Sequence, residues 1–146
     1  MTQRATESIA VNAPPNVVYD VVTDFEHYVD WVSDLKRIEI IERDVLGRPL
    51  EVEFRAAAFG RSTTYALYYD YSRAPEVLSW HQTHGDLTSM LNGQYRFEPS
   101  VGGTLLTYDL EVELQVPIPS FVKSRAAYRI QSQALRELKM RAERQQ

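Results

Sequence analysis

The sequence has no cysteine. That excludes disulfides, thiolate nucleophiles and cysteine-based metal sites, and it fits a reducing cytoplasm, the expected location. No stretch approaches the roughly 18 consecutive apolar residues of a membrane span. Residues 1–8 are polar, carry Arg4 and Glu7, and lack the apolar core of a secretory signal. Histidine is scarce. His27, His81 and His84 are the only three, and none is spaced with a carboxylate as a metal site requires. Neither a metal nor a cofactor is therefore expected. No Gly-x-Ser-x-Gly elbow surrounds Ser62, Ser79, Ser89 or Ser124. Gly102 and Gly103 open a strand and not a helix, so they do not form a phosphate loop. A net charge of −4 argues against a nucleic-acid partner.

What remains is an ordinary globular composition rich in rings. The chain has 146 residues, the size of a single domain with one core (1–146), and 44% hydrophobic and 11% aromatic residues exclude a disordered chain. Nine of the aromatics are tyrosines. Charge is uneven. Residues 120–146 hold seven basic and two acidic residues, a surplus of +5, which leaves nine basic against eighteen acidic elsewhere. Such a segment suits a solvated helix face, weak contact with an anionic membrane surface, or RNA.

Hydrophobic periodicity divides the chain. Residues 8–12 alternate as a first strand. Pro14 and Pro15 then suit a first helical turn, with the cap near Asn12 or Ala13. Val17, Val18, Val21 and Val22 make one helix face, and Phe25, Tyr28, Val29 and Val32 continue after a break at Thr23-Asp24. Two short helices with a bend are expected. Strands follow: 36–42, a turn at 44–49, then Leu50, Val52, Phe54, Ala56 and Ala58 alternating with Glu51, Glu53 and Arg55. Phe59-Gly60 turns the chain. Tyr65, Leu67, Tyr69 and Tyr71 form the apolar face of the next strand, and 77–83 is a strand centred on Trp80. His84-Gly85-Asp86 reads as a turn, and Gly93, Tyr95 and Phe97 alternate with Asn92, Gln94, Arg96 and Glu98. Gly102-Gly103 marks a hairpin before Leu106, Tyr108, Leu110, Val112 and Leu114. Short strands in sequence predict an antiparallel sheet with one apolar face.

The cover for that face is a helix over 120–144. Ser124, Ala127, Tyr128, Gln131, Ala134, Leu135, Leu138 and Ala142 are expected on its inner side, with Arg125, Arg129, Arg136, Lys139 and Glu143 outside. Small residues here, opposite large rings on the sheet, suit either an enclosed cavity or close helix–sheet packing.

The segments Ser8-Ile9-Ala10-Val11-Asn12-Ala13-Pro14-Pro15, Asp24-Phe25-Glu26-His27-Tyr28, Leu78-Ser79-Trp80, Gly93-Gln94-Tyr95-Arg96-Phe97-Glu98-Pro99 and Gly103-Thr104-Leu105-Leu106-Thr107-Tyr108 resemble the START-like (SRPBCC) superfamily. Within it, the chain is similar to the bacterial polyketide cyclase/dehydrase and lipid transport group. The resemblance implies an α+β helix-grip fold: a curved seven-stranded antiparallel sheet around a long C-terminal helix, with two short helices between strands 1 and 2. It implies a deep cavity for lipids, sterols, polyketides or quinones. It supplies no universal catalytic motif.

The expected cavity lining is Phe54, Ala56, Tyr65, Leu67, Tyr69, Trp80, Tyr95, Phe97, Leu106, Tyr108, Tyr128, Gln131 and Leu135. A buried Gln131 amide needs a partner, whether a tyrosine, water or a ligand. His81 and Tyr65 are a candidate acid–base pair, although His81 follows Trp80 and so takes the opposite strand face. Glu51, Glu53, Glu111 and Glu113 alternate with the apolar wall and should face solvent. Three functions fit: binding or carrying a hydrophobic small molecule without catalysis, cyclising or dehydrating a polyketide with pocket tyrosines, and an interaction module without a ligand. The first needs only the cavity. Monomer and homodimer are both compatible with the sequence.

Overall fold

The computed structural model describes residues 2–58 and 60–144. Its elements run β1 (Gln3–Val11), α1 (Pro15–Thr23), a 3-10 helix (Phe25–Asp30), β2 (Leu35–Arg43), β3 (Pro49–Ala58), β4 (Arg61–Asp70), β5 (Val77–Gly85), β6 (Thr88–Ser100), β7 (Gly103–Leu114) and α2 (Ser120–Arg144). The seven strands form one sheet in the order β1-β7-β6-β5-β4-β3-β2, and every neighbouring pair is antiparallel. This is the helix-grip arrangement. Consecutive strands are joined by hairpins, except that β1 closes against β7 across the whole chain. β1 is longer than residues 8–12, and its inner positions are Gln3, Ala5, Glu7, Ile9 and Val11.

Local chemistry explains the turns. Asp44 accepts the backbone N–H groups of Leu46 and Arg48 at 2.9 Å, which folds the β2–β3 turn. At the β6–β7 hairpin Gly103 has φ +154°, and a Cβ there would stand 2.1 Å from the Val11 carbonyl oxygen. Only glycine fits. The helix near Pro15 starts without a side-chain cap, with Pro14 as the flanking residue. Two differences from the sequence reading concern strand limits. His84 is not in a turn, because β5 continues through Gly85 and His84 pairs with Ala66. β6 begins at Thr88, with a register shift between Thr88 and Met90 that interrupts the alternation. The Phe59 half of the β3–β4 turn lies outside the described residues.

Val18, Val22, Phe25, Leu78 and Leu106 are fully buried at the end of the sheet covered by α1 and the 3-10 helix. α2 lies across the inner face, packed on β1, β7 and α1. Its buried stripe is Ala127, Gln131, Leu135, Leu138 and Ala142, the spacing expected of a helix with one buried side.

Candidate functional site: a tyrosine-lined concave wall

The inner face of the sheet is built by register. Phe54 pairs with Tyr65, Tyr69 with Trp80, Tyr95 with Tyr108, and Phe97 with Leu106. Because strand side chains alternate, all these residues project from one face. They form two runs of ring contacts. Phe54 and Tyr65 stack at 5.2 Å, and Tyr69 and Trp80 lie 5.9 Å apart. Trp80 meets Tyr95 at 5.2 Å, and Tyr95 meets Tyr108 at 4.7 Å. Gly93 makes room for the indole, since a Cβ there would sit 2.7 Å from Trp80 Cζ2.

Of the residues expected to line a cavity, Phe54, Leu67, Tyr69, Trp80, Phe97, Leu106 and Tyr108 are buried, and Ala56, Tyr65 and Tyr95 are half-buried. Leu106 is fully enclosed and belongs to the packed core. Leu135 of α2 is buried above the sheet. Tyr128 is a correction. It is 58% exposed, because it falls one residue, and so about 100° of turn, beyond Ala127 on the buried stripe. Ser124 is likewise exposed, and its hydroxyl donates to Gln3 Oε1 at 2.7 Å.

Gln131 is wholly buried. Its Nε2 donates to the backbone carbonyls of Ala5 and Tyr108, both at 2.9 Å, which ties α2 to β1 and β7 together. Its Oε1 is sealed without a partner, as is Trp80 Nε1.

The phenols divide into two groups. Tyr28 and Tyr71 donate to the backbone carbonyls of Val22 and Pro49. The hydroxyls of Tyr65, Tyr69, Tyr95 and Tyr108 have no hydrogen-bond partner among the described residues and, unlike Gln131 Oε1 and Trp80 Nε1, are not sealed. Desolvation by burial raises the pKa of each, pushing Tyr65 up to about 12. Neighbouring phenols push Tyr69, Tyr95 and Tyr108 further up. All four are therefore neutral near pH 7, able to donate a hydrogen bond but not to act as bases. Tyr28, from the 3-10 helix, joins the wall through ring contacts to Phe25 and Phe54. Its i, i+3 spacing from Phe25 is the available sequence signal for that.

No imidazole lies in this wall. His81 contacts the ring of Tyr68 at 5.6 Å on the opposite face, so it is not brought to Tyr65. His84 Nε2 stands 3.5 Å from Glu53 on that outer face. His27 bonds Asp24 at 2.8 Å on the surface, a contact that raises its pKa. Of the acidic pairs, Glu51 accepts from Thr83, Glu111 from Arg4 and Glu113 from Ser89, all among outer-face groups. A separate surface cleft of about 220 Å³, lined by Val17, Asp20, Val21, Asp24, Trp31 and Arg141, lies where α1 meets the C-terminal part of α2. Among the described residues no group of three His, Cys, Asp or Glu side chains is placed to hold a metal. No described helix is long and apolar enough to cross a membrane.

Residues 2–143 match the family described as polyketide cyclase/dehydrase and lipid transport, and the chain belongs to it. Solved structures agree on the fold. A START superfamily protein from Mycobacterium smegmatis is 24% identical with a TM-score of 0.91, over 98% of this chain and 99% of that one. The Zhui aromatase/cyclase from a Streptomyces species is 18% identical with a TM-score of 0.83, over 99% and 95%. A protein from Thermus thermophilus is 20% identical with a TM-score of 0.72, over 97% and 93%.

Proposed function

We propose that this protein binds a hydrophobic small molecule carrying oxygen functions, held between the tyrosine wall and α2 without being transformed. The observation that carries the reading is the set of four unpartnered phenols, Tyr65, Tyr69, Tyr95 and Tyr108, on one apolar surface. A guest whose carbonyl or hydroxyl oxygens accept from these phenols gains hydrogen bonds while its rings or chain contact Phe54, Leu67 and Trp80. Lipid, polyketide and quinone-like molecules all fit this description.

Native mass spectrometry before and after organic extraction tests the proposal, followed by titration of the extracted protein with a naphthoquinone and with a saturated fatty acid. The expected result is a co-purified apolar adduct and saturable binding, tighter for the quinone. Absence of both would overturn the proposal.

A second reading, cyclisation or dehydration of a poly-β-keto chain, draws support from the likeness to the Zhui aromatase/cyclase and from neutral phenols that donate protons to ketone oxygens. It needs a base that the wall does not supply from an imidazole. Product formation from a poly-β-keto substrate that is lost in Tyr95→Phe would favour it over simple binding.

A further inference from the structure

The N-terminal half of α2 presents a surface that the tyrosine wall does not use. Between Ser120 and Arg136 the helix carries Lys123, Arg125, Arg129 and Arg136 and no acidic residue. Its two acids lie further along, at 137 and 143, and both are engaged elsewhere. Glu137 accepts the backbone N–H of Ser33, and Glu143 accepts from Lys139 and from the backbone N–H of Asn12. Among the described residues no carboxylate lies within 4.0 Å of the four cations. Two aromatic side chains stand beside them in the open. Phe121 is 64% exposed and Tyr128 58% exposed. At 100° per residue, Phe121, Arg125, Tyr128, Arg129 and Arg136 share one arc of about 100°. Arg125 lies over the Phe121 ring at 5.8 Å.

We infer that this arc docks the protein on an anionic lipid bilayer. A face that combines uncompensated cations with exposed rings suits the interface, where aromatic side chains sit at headgroup depth and cations meet lipid phosphates. RNA would meet the same charge, but the rest of the chain carries nine basic against eighteen acidic residues. That acidic body is repelled by the same membrane, so only the α2 face can approach it. The inference stands on charge and exposure, and it holds whatever occupies the space between helix and sheet.

Co-sedimentation of the full chain with vesicles tests it, comparing phosphatidylcholine alone with phosphatidylcholine containing about 30% phosphatidylglycerol. Association with the anionic vesicles is expected at about 25 mM NaCl and should weaken steeply by about 300 mM. Removing one arginine should lower partitioning about fivefold, and Arg125→Glu with Arg129→Glu at least ~25-fold. Phe121→Ser should lower it severalfold, at any salt. Circular dichroism should show all variants folded, because these side chains are exposed. Equal sedimentation with neutral vesicles, indifference to the double charge reversal, or tighter binding to a labelled RNA oligonucleotide at the same salt would overturn the assignment.

Discussion

The two halves of α2 are held in different ways. From Gln131 onward the helix is fastened on both flanks. Gln131 reaches β1 and β7, Gln133 donates to Ser33 and Asp34, Glu137 accepts from Ser33, and Lys139 donates to the Ala10 carbonyl at 2.7 Å. Leu135, Leu138 and Ala142 are buried beneath it. Before Gln131, the side-chain tie to the sheet is that of Ser124 to Gln3, and Ala127 is the one buried side chain among the described residues. Phe121, Tyr128 and Ile130 face outward. The sheet below is sealed at both ends: Val18, Phe25 and Leu78 are buried near α1, and Val112 and Leu114 are buried on β7, beside half-buried Leu91. The difference lies in how the helix is held.

This contrast gives measurable differences. Phe25→Ala in the sealed core beside α1 should cost about 3–5 kcal/mol in urea unfolding, and Leu138→Ala in the fastened half about 2–5 kcal/mol. Equal costs for Phe121→Ala and Leu138→Ala would abolish the distinction, because Phe121→Ala is expected to stay within about 0.5 kcal/mol. Gln131→Leu strips two carbonyls of a donor and should destabilise by about 1–3 kcal/mol. Tyr95→Phe and Tyr108→Phe should leave stability nearly unchanged and weaken binding of a naphthoquinone about tenfold each, measured by calorimetry.

The smallest effect concerns pH. The hydrogen bond from Lys139 and that from the Asn12 backbone hold the Glu143 carboxyl below its ordinary 4.5. A depressed pKa adds stability above 4.5 that is lost as pH falls through the folded value, so Glu143→Gln should flatten the acid limb slightly. For Tyr65 the sign is opposite. Its pKa is raised from 10.0 to about 12, so stability should decline as pH rises from 10.0 toward that value.

Much of this is legible in the chain. Alternation at Leu50 to Ala58 and at Tyr65 to Tyr71 places the wall residues on one face, and apolar spacing together with Pro117 and Pro119 sets α2 at 120–144. What escapes depends on contacts distant in sequence or on broken periodicity. Gln131 finds its partners at Ala5, 126 residues away, and at the Tyr108 main chain, which no side-chain pattern encodes. The first residues of β6 are hidden because the register shift after Thr88 breaks the two-residue period. Tyr128 departs from its expected place because the helix leans toward β1 and β7, so the buried stripe is centred near Gln131 and is too narrow to include it.

Trp80 sits in the wall, which makes it a reporter. In a Trp31→Phe background its fluorescence can be followed while a naphthoquinone is added, with and without Ala134→Phe, a change that places a ring on a half-buried position of α2 without adding a second indole. Saturable quenching that weakens at least ~100-fold in the Ala134→Phe variant is the predicted result. Unchanged quenching in that variant, or none in either protein, would contradict a guest seated between helix and sheet.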